Sequence, residues 1–415
     1  MSSENSISTT KNALYILGHV EETPELLALK ERFLGDVIAL NDDTLIAAPE
    51  HICVYVCGDV NLLDKVPAST AKLRVIQELS YHMDARPDHV EVVTLGQVPL
   101  LVHGVGVLFP RFFEQQDLFH KIQEEHEFQQ LTESTKASKA LRTGIYLTHV
   151  DCIAVSETDT DYGDFEEYHF RLLRCSSNLT GPTDNFRTTD HMIMKAINEA
   201  AHETFERETS LNHVLAQIYV NEKQDDERGR ERKARIGAHS DKTKDMREDG
   251  LLAFCTFYNA NEFSKLTPSN TDPYDFCYKQ TSGLTTLHFK LKPEVQDTTL
   301  VQEFSVTLYP NSVFIIPLST NRLYTHEIRP SHLNVDRIPT RMGYVARCSK
   351  AEAVFKHGQT FLKEGDALVK LQPMTTQTMS DLKDTYYEEN VSPNEVTYGK
   401  VHFSMNQGDY QQPIY

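Results

Sequence analysis

The sequence lacks any long apolar run. Its longest stretches of this kind, such as SVFIIPL at residues 312–318, are far shorter than the roughly 20 residues that span a bilayer. Residues 1–20 also lack the basic segment and the following apolar segment of a secretory signal. We therefore expect no membrane attachment and a cytoplasmic location, with the nucleus as an alternative.

The sequence also has no excess of positive charge and no cysteine pairs at metal-binding spacing. The 41 Lys and Arg residues against 60 Asp and Glu residues give a net charge of −19, which repels phosphate backbones and disfavours nucleic acid as a partner unless a local basic patch overrides it. The seven cysteines are scattered without the spacing of a zinc knuckle, so we expect reduced thiols.

What the chain has in quantity is short β-rich segments. NHVLAQIYVN, GLLAFCTFYN, GLTTLHFKLK, EFSVTLYP, SVFIIPLS and RMGYVARCS are separated by glycine, proline, asparagine or charged loops, which is typical of a sandwich or barrel. Residues 189–207 form the clearest predicted helix, with Ile193, Ile197 and Ala200 on one face.

The segment RKARIGAHSDKTKDM, residues 232–246, sets His239 and Asp241 two positions apart. On an extended chain these two side chains share a face, so both can reach one ion, although a surface loop is the alternative interpretation. A third ligand is available in His326, 87 positions after His239 at the end of an apolar strand. Two histidines and one carboxylate leave three positions open on Fe(II), as oxygen-activating non-haem iron sites require.

The order of these residues resembles the Fe(II)/2-oxoglutarate oxygenases, and most of all their AlkB-like branch. There a distal histidine is followed by two arginines six positions apart, as in RMGYVAR, which carries Arg341 and Arg347. NHVLAQIYVN is similar to the family strand whose polar residue and tyrosine contact the co-substrate, here Gln217 and Tyr219. The resemblance covers about residues 185–350. Where the family usually has a short turn, this chain has the charged segment NEKQDDERGRERKA, so substrate recognition is expected to differ.

The resemblance implies a mainly β fold with flanking helices and a double-stranded β-helix (jelly-roll) core. We expect a disordered tail at 1–12, an N-terminal α/β region at 13–135, the oxygenase domain at 136–355 and a C-terminal extension at 356–415 that ends in a loosely attached tail. In this scheme the chain binds Fe(II), 2-oxoglutarate and O2, and His239, Asp241 and His326 hold the iron. Arg341 pairs with the remote carboxylate of 2-oxoglutarate, while Arg347, Tyr219 and Gln217 support the co-substrate.

The implied reaction is hydroxylation or oxidative demethylation of a C–H bond in a small-molecule or protein substrate, with succinate and CO2 as co-products. Candidate substrate contacts are Lys242, Lys244, Arg235 and His288. Two alternatives stay open: an AlkB-like nucleic-acid demethylase, which predicts a basic groove leading to His239, and a non-catalytic β-barrel, which predicts that the three ligands do not converge. The oligomeric state stays open as well.

Overall fold

The computed structural model describes residues 4–40, 51–67, 71–114, 116–133, 136–156, 164–175, 179–224 and 229–415. Over these ranges the protein is mainly β, with several separate sheets. None of the helices in these ranges has the length and apolar character needed to cross a membrane.

The N-terminal region is a five-stranded parallel sheet. Its elements are β1 (Asn12–Leu17), α1 (Pro24–Arg32), β2 (Asp36–Leu40), β3 (Cys53–Asp59), β4 (Lys72–Tyr81) and β5 (Glu91–Val93). The strand order is β2-β1-β3-β4-β5, and every neighbouring pair is parallel. All six residues of β1 are buried, which accounts for its continuous apolar run YIL, because a central parallel strand is covered on both faces.

The rest of the chain forms the following helices and strands. They are β6 (Leu100–Val102), β7 (Gly106–Phe109), α2 (Leu118–Glu125), β8 (Gln129–Glu133), β9 (Lys136–Thr148), β10 (Asp151–Ser156), β11 (Asp164–Leu172), β12 (Asp184–Asn185), α3 (Thr188–Thr204), β13 (His213–Tyr219), β14 (Glu222–Lys223), β15 (Glu231–Arg232), β16 (Ile236–His239), β17 (Leu251–Tyr258), β18 (Thr267–Pro268), β19 (Phe276–Tyr278), β20 (Thr281–Ser282), β21 (Thr286–Leu291), β22 (Glu303–Thr307), β23 (Ser312–Pro317), α4 (Leu318–Leu323), β24 (Tyr324–Arg329), β25 (Arg341–Arg347), β26 (Ala351–Lys356), β27 (Gln359–Glu364), β28 (Ala367–Lys370) and α5 (Thr376–Val391).

Two sheets face each other and enclose the main core. The large sheet has nine strands in the order β12-β9-β13-β25-β17-β23-β7-β6, with β8 paired to β9, and the small sheet has the order β16-β24-β21-β22. Phe254 and Phe314 of the large sheet pack in one buried cluster with Phe289 and Phe304 of the small sheet. Strands β17 and β23 of the large sheet are buried along their whole length, because buried clusters cover both of its faces.

The helix predicted at residues 189–207 is confirmed as α3, Thr188–Thr204. Ile193, Ile197 and Ala200 are buried as expected, and they pack against the face of the large sheet opposite the small sheet. This helix also holds the N-terminal sheet, because buried Glu203 accepts hydrogen bonds from Arg74 at 2.8 Å and 3.2 Å.

Both ends of the chain differ from the expectation of loose tails. From Asn5 onward the N-terminal segment pairs with the end of α3, and Ser8 N donates to Thr204 O at 2.9 Å. At the other end, Ile414 N donates to Thr183 O at 2.9 Å. Strands β26, β27 and β28 join β10 and β11 in a second antiparallel sheet, so the C-terminal extension has its own hydrogen-bond partners. Sequence composition gives no signal for such distant pairing.

Candidate metal centre

His239 and His326 face each other across two adjacent antiparallel strands. His239 ends β16, His326 lies in β24, and the two are register partners in the small sheet. Because directly opposed residues of an antiparallel pair share one face, both imidazoles enter the space between the two sheets. Their ring centroids are 4.5 Å apart.

Asp241 brings its carboxylate to the same point. Its Oδ1 atom lies 3.4 Å from Nε2 of His239 and 3.7 Å from Nε2 of His326. One ligand atom from each of the three residues lies within 4.8 Å of the others, a group able to hold a metal ion. The backbone of Asp241 is fixed by Asn321, which accepts from its N–H at 2.8 Å and donates to its carbonyl at 2.9 Å.

Hydrogen bonding and burial prepare both imidazoles as nitrogen donors. Nδ1–H of His239 donates to the carbonyl of Gly237 at 2.9 Å, which leaves Nε2 free to accept on the side of Asp241. For His326, burial, together with the neighbouring His239, lowers the pKa to about 3, so its ring is neutral. Phe254 and Phe289 pack around that ring at centroid distances of 5.6 Å and 5.7 Å.

Arg347 neutralises the Asp241 carboxylate from the other side. Oδ2 of Asp241 accepts from Nε of Arg347 at 2.8 Å and lies 2.6 Å from its Nη2 atom. Burial acts to raise the pKa of the Asp241 carboxyl, but Arg347 and the two histidines hold it well below its ordinary value. The carboxylate is therefore ionised, with Oδ1 left for the side of the histidines.

The three residues border a cavity of about 510 Å³ between the sheets. Its floor is part of a grid of residues in register across β9, β13, β25 and β17; the grid residues Gly144, Thr148, His213, Leu252 and Tyr258 are not among those that line the cavity. The rows are Arg142–Tyr219–Arg341–Tyr258, Gly144–Gln217–Gly343–Thr256, Tyr146–Leu215–Val345–Phe254 and Thr148–His213–Arg347–Leu252. The first row lies at the far end of the grid from Arg347. Two arginines six positions apart on β25 are thereby placed at opposite ends of the same cavity.

Arg341 lines the cavity and is only 4% exposed, yet its Nε and Nη2 atoms have no hydrogen-bond partner in the described part of the chain. Its guanidinium lies over the ring of Tyr219, 4.0 Å from the centroid. Gly343 makes room for this stack, because a Cβ there would lie 3.0 Å from Nη1 of Arg341. The hydroxyl of Tyr219 donates to Oε1 of Gln217 at 2.9 Å, so the two predicted co-substrate contacts of β13 bind each other.

Arg235 and Lys242, predicted as substrate contacts, both line the cavity. Arg235 is exposed at its mouth. The Lys242 ammonium is instead taken up by α5, where it donates to the carbonyl of Tyr386 and to Oδ1 of Asn390, both at 2.9 Å. A substrate could therefore contact Lys242 only if the ammonium group also kept its hydrogen bonds to α5.

Lys244 and His288, the other two predicted contacts, do not reach the cavity. Lys244 is buried beside Asp245, with Nζ 2.9 Å from Oδ2, in an ion cluster with Arg174. His288 lies on β21 between Leu287 and Phe289, whose side chains are both in the core between the sheets. Because side chains alternate along a strand, His288 points to the opposite face, where Nδ1 contacts Ser305 Oγ at 2.9 Å. Both predictions are therefore wrong about position.

The C-terminal helix is the part of the site that the sequence did not predict. Asn390 accepts from the backbone N–H of Ser240 at 2.9 Å, and Glu389 accepts from the N–H of Thr243 at 3.0 Å. Helix α5 also contributes Lys383 and Tyr386 to the cavity lining. The four-residue spacing of buried Leu382 and Tyr386 indicates a helix, but nothing in the local sequence indicates its partner.

A second cluster of possible ligand atoms lies around His126, with Glu125 and Asp190. Both ring nitrogens of His126 are already paired, Nδ1 with Asp184 at 2.8 Å and Nε2 with Asp190 at 2.7 Å. Asp190 also accepts from the Tyr344 hydroxyl at 2.8 Å. Burial acts against the charged ring, but the two carboxylates raise the pKa of His126 to about 9, so this cluster is an internal ion network.

Comparisons with known proteins give little. No family model and no curated protein matches this chain. Among solved structures that do match, the one titled "The structure of OsALKBH1" has a TM-score of 0.32 and 11% identity, and the match covers 60% of this chain and 99% of that one. At such a TM-score the likeness carries no conclusion about fold or activity.

Proposed function

We propose that the chain is an Fe(II)/2-oxoglutarate-dependent dioxygenase with a double-stranded β-helix core. It hydroxylates, or oxidatively demethylates, a C–H bond of a small-molecule or protein substrate, with succinate and CO2 as co-products. The observation that carries the proposal is that His239, Asp241 and His326 share one cavity with the buried guanidinium of Arg341, whose Nε and Nη2 atoms have no hydrogen-bond partner among the described residues.

The donor set fits Fe(II). Two imidazole nitrogens and one carboxylate oxygen form the 2-His-1-carboxylate set, which leaves adjacent coordination positions open. Arg347 holds the second oxygen of Asp241, so the carboxylate offers one oxygen to the ion rather than two. Outer contacts of this kind orient metal ligands and are needed for their affinity.

Arg341 fits the remote carboxylate of 2-oxoglutarate. Its unpartnered Nε and Nη2 atoms form one edge of the guanidinium fork, and that edge pairs with the two oxygens of a carboxylate. A buried guanidinium without such a partner is costly, which is itself a sign of an anionic ligand. Tyr219 holds the guanidinium in place by stacking on its face.

The remaining roles belong to the walls of the cavity. Phe254 and Phe289 surround His326 and keep water from that side of the centre. Gly237 fixes the tautomer of His239, and Asn321 fixes the backbone of Asp241. When bound, Fe(II) and 2-oxoglutarate supply O2 activation coupled to oxidative decarboxylation; the residues of this chain supply binding, orientation and a dry space.

The placement of the centre supports the double-stranded β-helix. The facing sheets contribute different parts of it, with His239 and His326 from the small sheet and Arg341 and Arg347 from the large one. A non-catalytic barrel gives no reason for two imidazoles, an ionised carboxylate and a buried arginine to share one cavity.

Metal titration tests this proposal. We expect the full-length chain to bind one Mn(II) ion, measured by calorimetry, and the His326→Ala variant to lose that binding. His288→Ala is the matched control, because it removes a similarly buried histidine from the other face of the small sheet. Equal binding by wild type and His326→Ala, or no binding by folded wild type, contradicts the proposal.

A further inference from the structure

The cavity is strongly cationic although the protein is acidic. Among the described residues its lining contains one carboxylate, that of Asp241, and six cations, which are Arg142, Arg235, Lys242, Arg341, Arg347 and Lys383. In a chain with a net charge of −19 this local excess is a specific feature of the site. Cations that face a cavity together repel one another unless anions offset them.

Three of these six cations have a partner or a proposed ligand. Arg347 pairs with Asp241, and Lys242 donates to the end of α5. Arg341 is assigned to the co-substrate by the proposed function. Arg142, Arg235 and Lys383 remain, and within the described ranges none of these three has a carboxylate partner.

Arg142 is the best placed of the three. It is the register partner of Tyr219, which is in turn the register partner of Arg341, so two arginines flank one tyrosine in the same row of the floor. Its Nε atom is buried and has no hydrogen-bond partner in the described part of the chain. A buried guanidinium N–H on a cavity wall is a ready hydrogen-bond donor to an oxyanion.

A surface groove of about 1150 Å³ adjoins the cavity beside Arg142. Arg142, Arg235, Ile236, Gly237 and Ile328 line both the groove and the cavity that holds the three candidate metal ligands. Among its other charged residues, Arg329 pairs with Glu327, Arg232 lies 3.5 Å from Glu222, and Lys233 donates to the carbonyl of Ser331 at 3.2 Å. Arg142 and Arg235 are the cations that the groove shares with the cavity.

We propose, building on the proposed function, that the substrate is a small organic anion. Its oxyanion head group, a carboxylate or a phosphate monoester, is bound by Arg142 and Arg235, and its apolar body lies against Leu287 and Ile328 near His326. The groove is lined by five cations and two carboxylates, which are Arg142, Arg232, Lys233, Arg235 and Arg329 against Glu231 and Glu327, so a polyanion is the competing occupant. The net charge of −19 disfavours it.

Binding of model anions tests the inference without turnover. The probes are 4-phenylbutyrate, hexanoate and phenyl phosphate, with 4-phenylbutanol as the uncharged analogue and a single-stranded oligonucleotide as the polyanion. Binding to the full-length chain is measured by ligand-detected NMR, with and without Zn(II) and saturating 2-oxoglutarate. We expect at least one small anion to bind and the alcohol to bind about ten-fold or more weakly, the effect of one charge-assisted pair. The preferred probe separates a carboxylate site from a phosphate site.

Variants locate the contact. Arg142→Leu and, separately, Arg235→Leu are expected to lower the affinity for the anion about ten-fold. Arg329→Leu removes an already paired arginine from the same groove and is expected to change that affinity less than about two-fold. The affinity for 2-oxoglutarate is expected to stay unchanged in Arg142→Leu.

Three results overturn the inference: no small anion binds, binding is unaffected by both variants, or only the oligonucleotide binds. A loss of 2-oxoglutarate affinity in Arg142→Leu equal to that in Arg341→Leu also overturns it, because Arg142 then belongs to the co-substrate site. Probe binding is measured without turnover and also without metal, so it does not depend on the dioxygenase proposal. Failure of that proposal is seen in a different measurement, as the absence of metal binding.

Discussion

The Arg347 guanidinium holds Oδ2 of Asp241, at 2.8 Å from Nε and 2.6 Å from Nη2, while Oδ1 of the same carboxylate faces both histidines. One carboxylate thus joins β25 of the large sheet to the two histidines of the small sheet. This pair gives Arg347 a positioning role, since its donors are committed to a residue of the chain.

Arg347→Leu is therefore expected to weaken metal binding about 10- to 100-fold, as loss of an outer contact to a metal ligand does. Arg347→Lys, which keeps the charge but not the two-point contact, is expected to lie between wild type and leucine. Calorimetric titration with Mn(II) measures both, with circular dichroism as the check on folding. Wild-type affinity in Arg347→Leu would contradict the positioning role.

Arg341→Leu is expected to lower the affinity for 2-oxoglutarate about ten-fold or more, because it removes the bidentate partner of the remote carboxylate. The affinity for the metal is expected to stay unchanged. Arg337→Leu is a matched control, since Arg337 also stacks on a tyrosine, 3.8 Å from the Tyr278 centroid, but lies outside the cavity. Equilibrium titration with 2-oxoglutarate in the presence of Mn(II) checks this. Unchanged 2-oxoglutarate affinity in Arg341→Leu, or an equal loss in Arg337→Leu, would contradict a specific pairing of Arg341 with the carboxylate.

Asn390→Ala tests whether α5 fastens the loop that carries Asp241. The Asn390 side chain accepts from Ser240 N–H and from Lys242 Nζ, both at 2.9 Å. Leaving those donors unpaired costs about 1–3 kcal/mol of local stability. We expect faster hydrogen exchange at residues 240–243 and weaker metal binding, with exposed Asn394→Ala as the control. Unchanged exchange would show that the helix packs on the loop without stabilising it.

The His126 cluster predicts a pH dependence of stability. Its folded pKa of about 9 lies above the ordinary value of 6.5, so the stabilisation is complete below about pH 6.5 and is lost as the pH rises through 9. The shift corresponds to roughly 3 kcal/mol in the free energy of unfolding. Denaturant unfolding of wild type and His126→Gln between pH 6 and 10 measures it, and the difference between them is expected to shrink with rising pH. A constant difference would refute the raised pKa.

The sequence predicted the members of the site better than their surroundings. The order of His239, Asp241 and His326 was enough to group them, because ligand type and spacing are local properties of the chain. The metal role of these three and the co-substrate role of Arg341 stay predictions. His288, a candidate substrate contact in the sequence, lies on the face of β21 opposite the core between the sheets, because neighbouring side chains of a strand point to opposite faces.

The sequence could not predict contacts between residues that lie far apart along the chain. Asn390 lies 150 positions from Ser240, and Arg142 reaches the cavity through its register with Tyr219. Neither contact leaves a local pattern, because each depends on how separate elements pack. The same holds for Lys244, which occurs beside the metal motif in sequence but turns into the ion cluster of Asp245.

The central claim is tested most directly by adding Fe(II) and 2-oxoglutarate to the full-length chain without oxygen and recording the visible spectrum. We predict a weak metal-to-ligand charge-transfer band that is absent in Asp241→Ala and present in His288→Ala. Folded wild-type protein without the band, or an equal band in Asp241→Ala, would contradict an iron and 2-oxoglutarate centre at His239, Asp241 and His326.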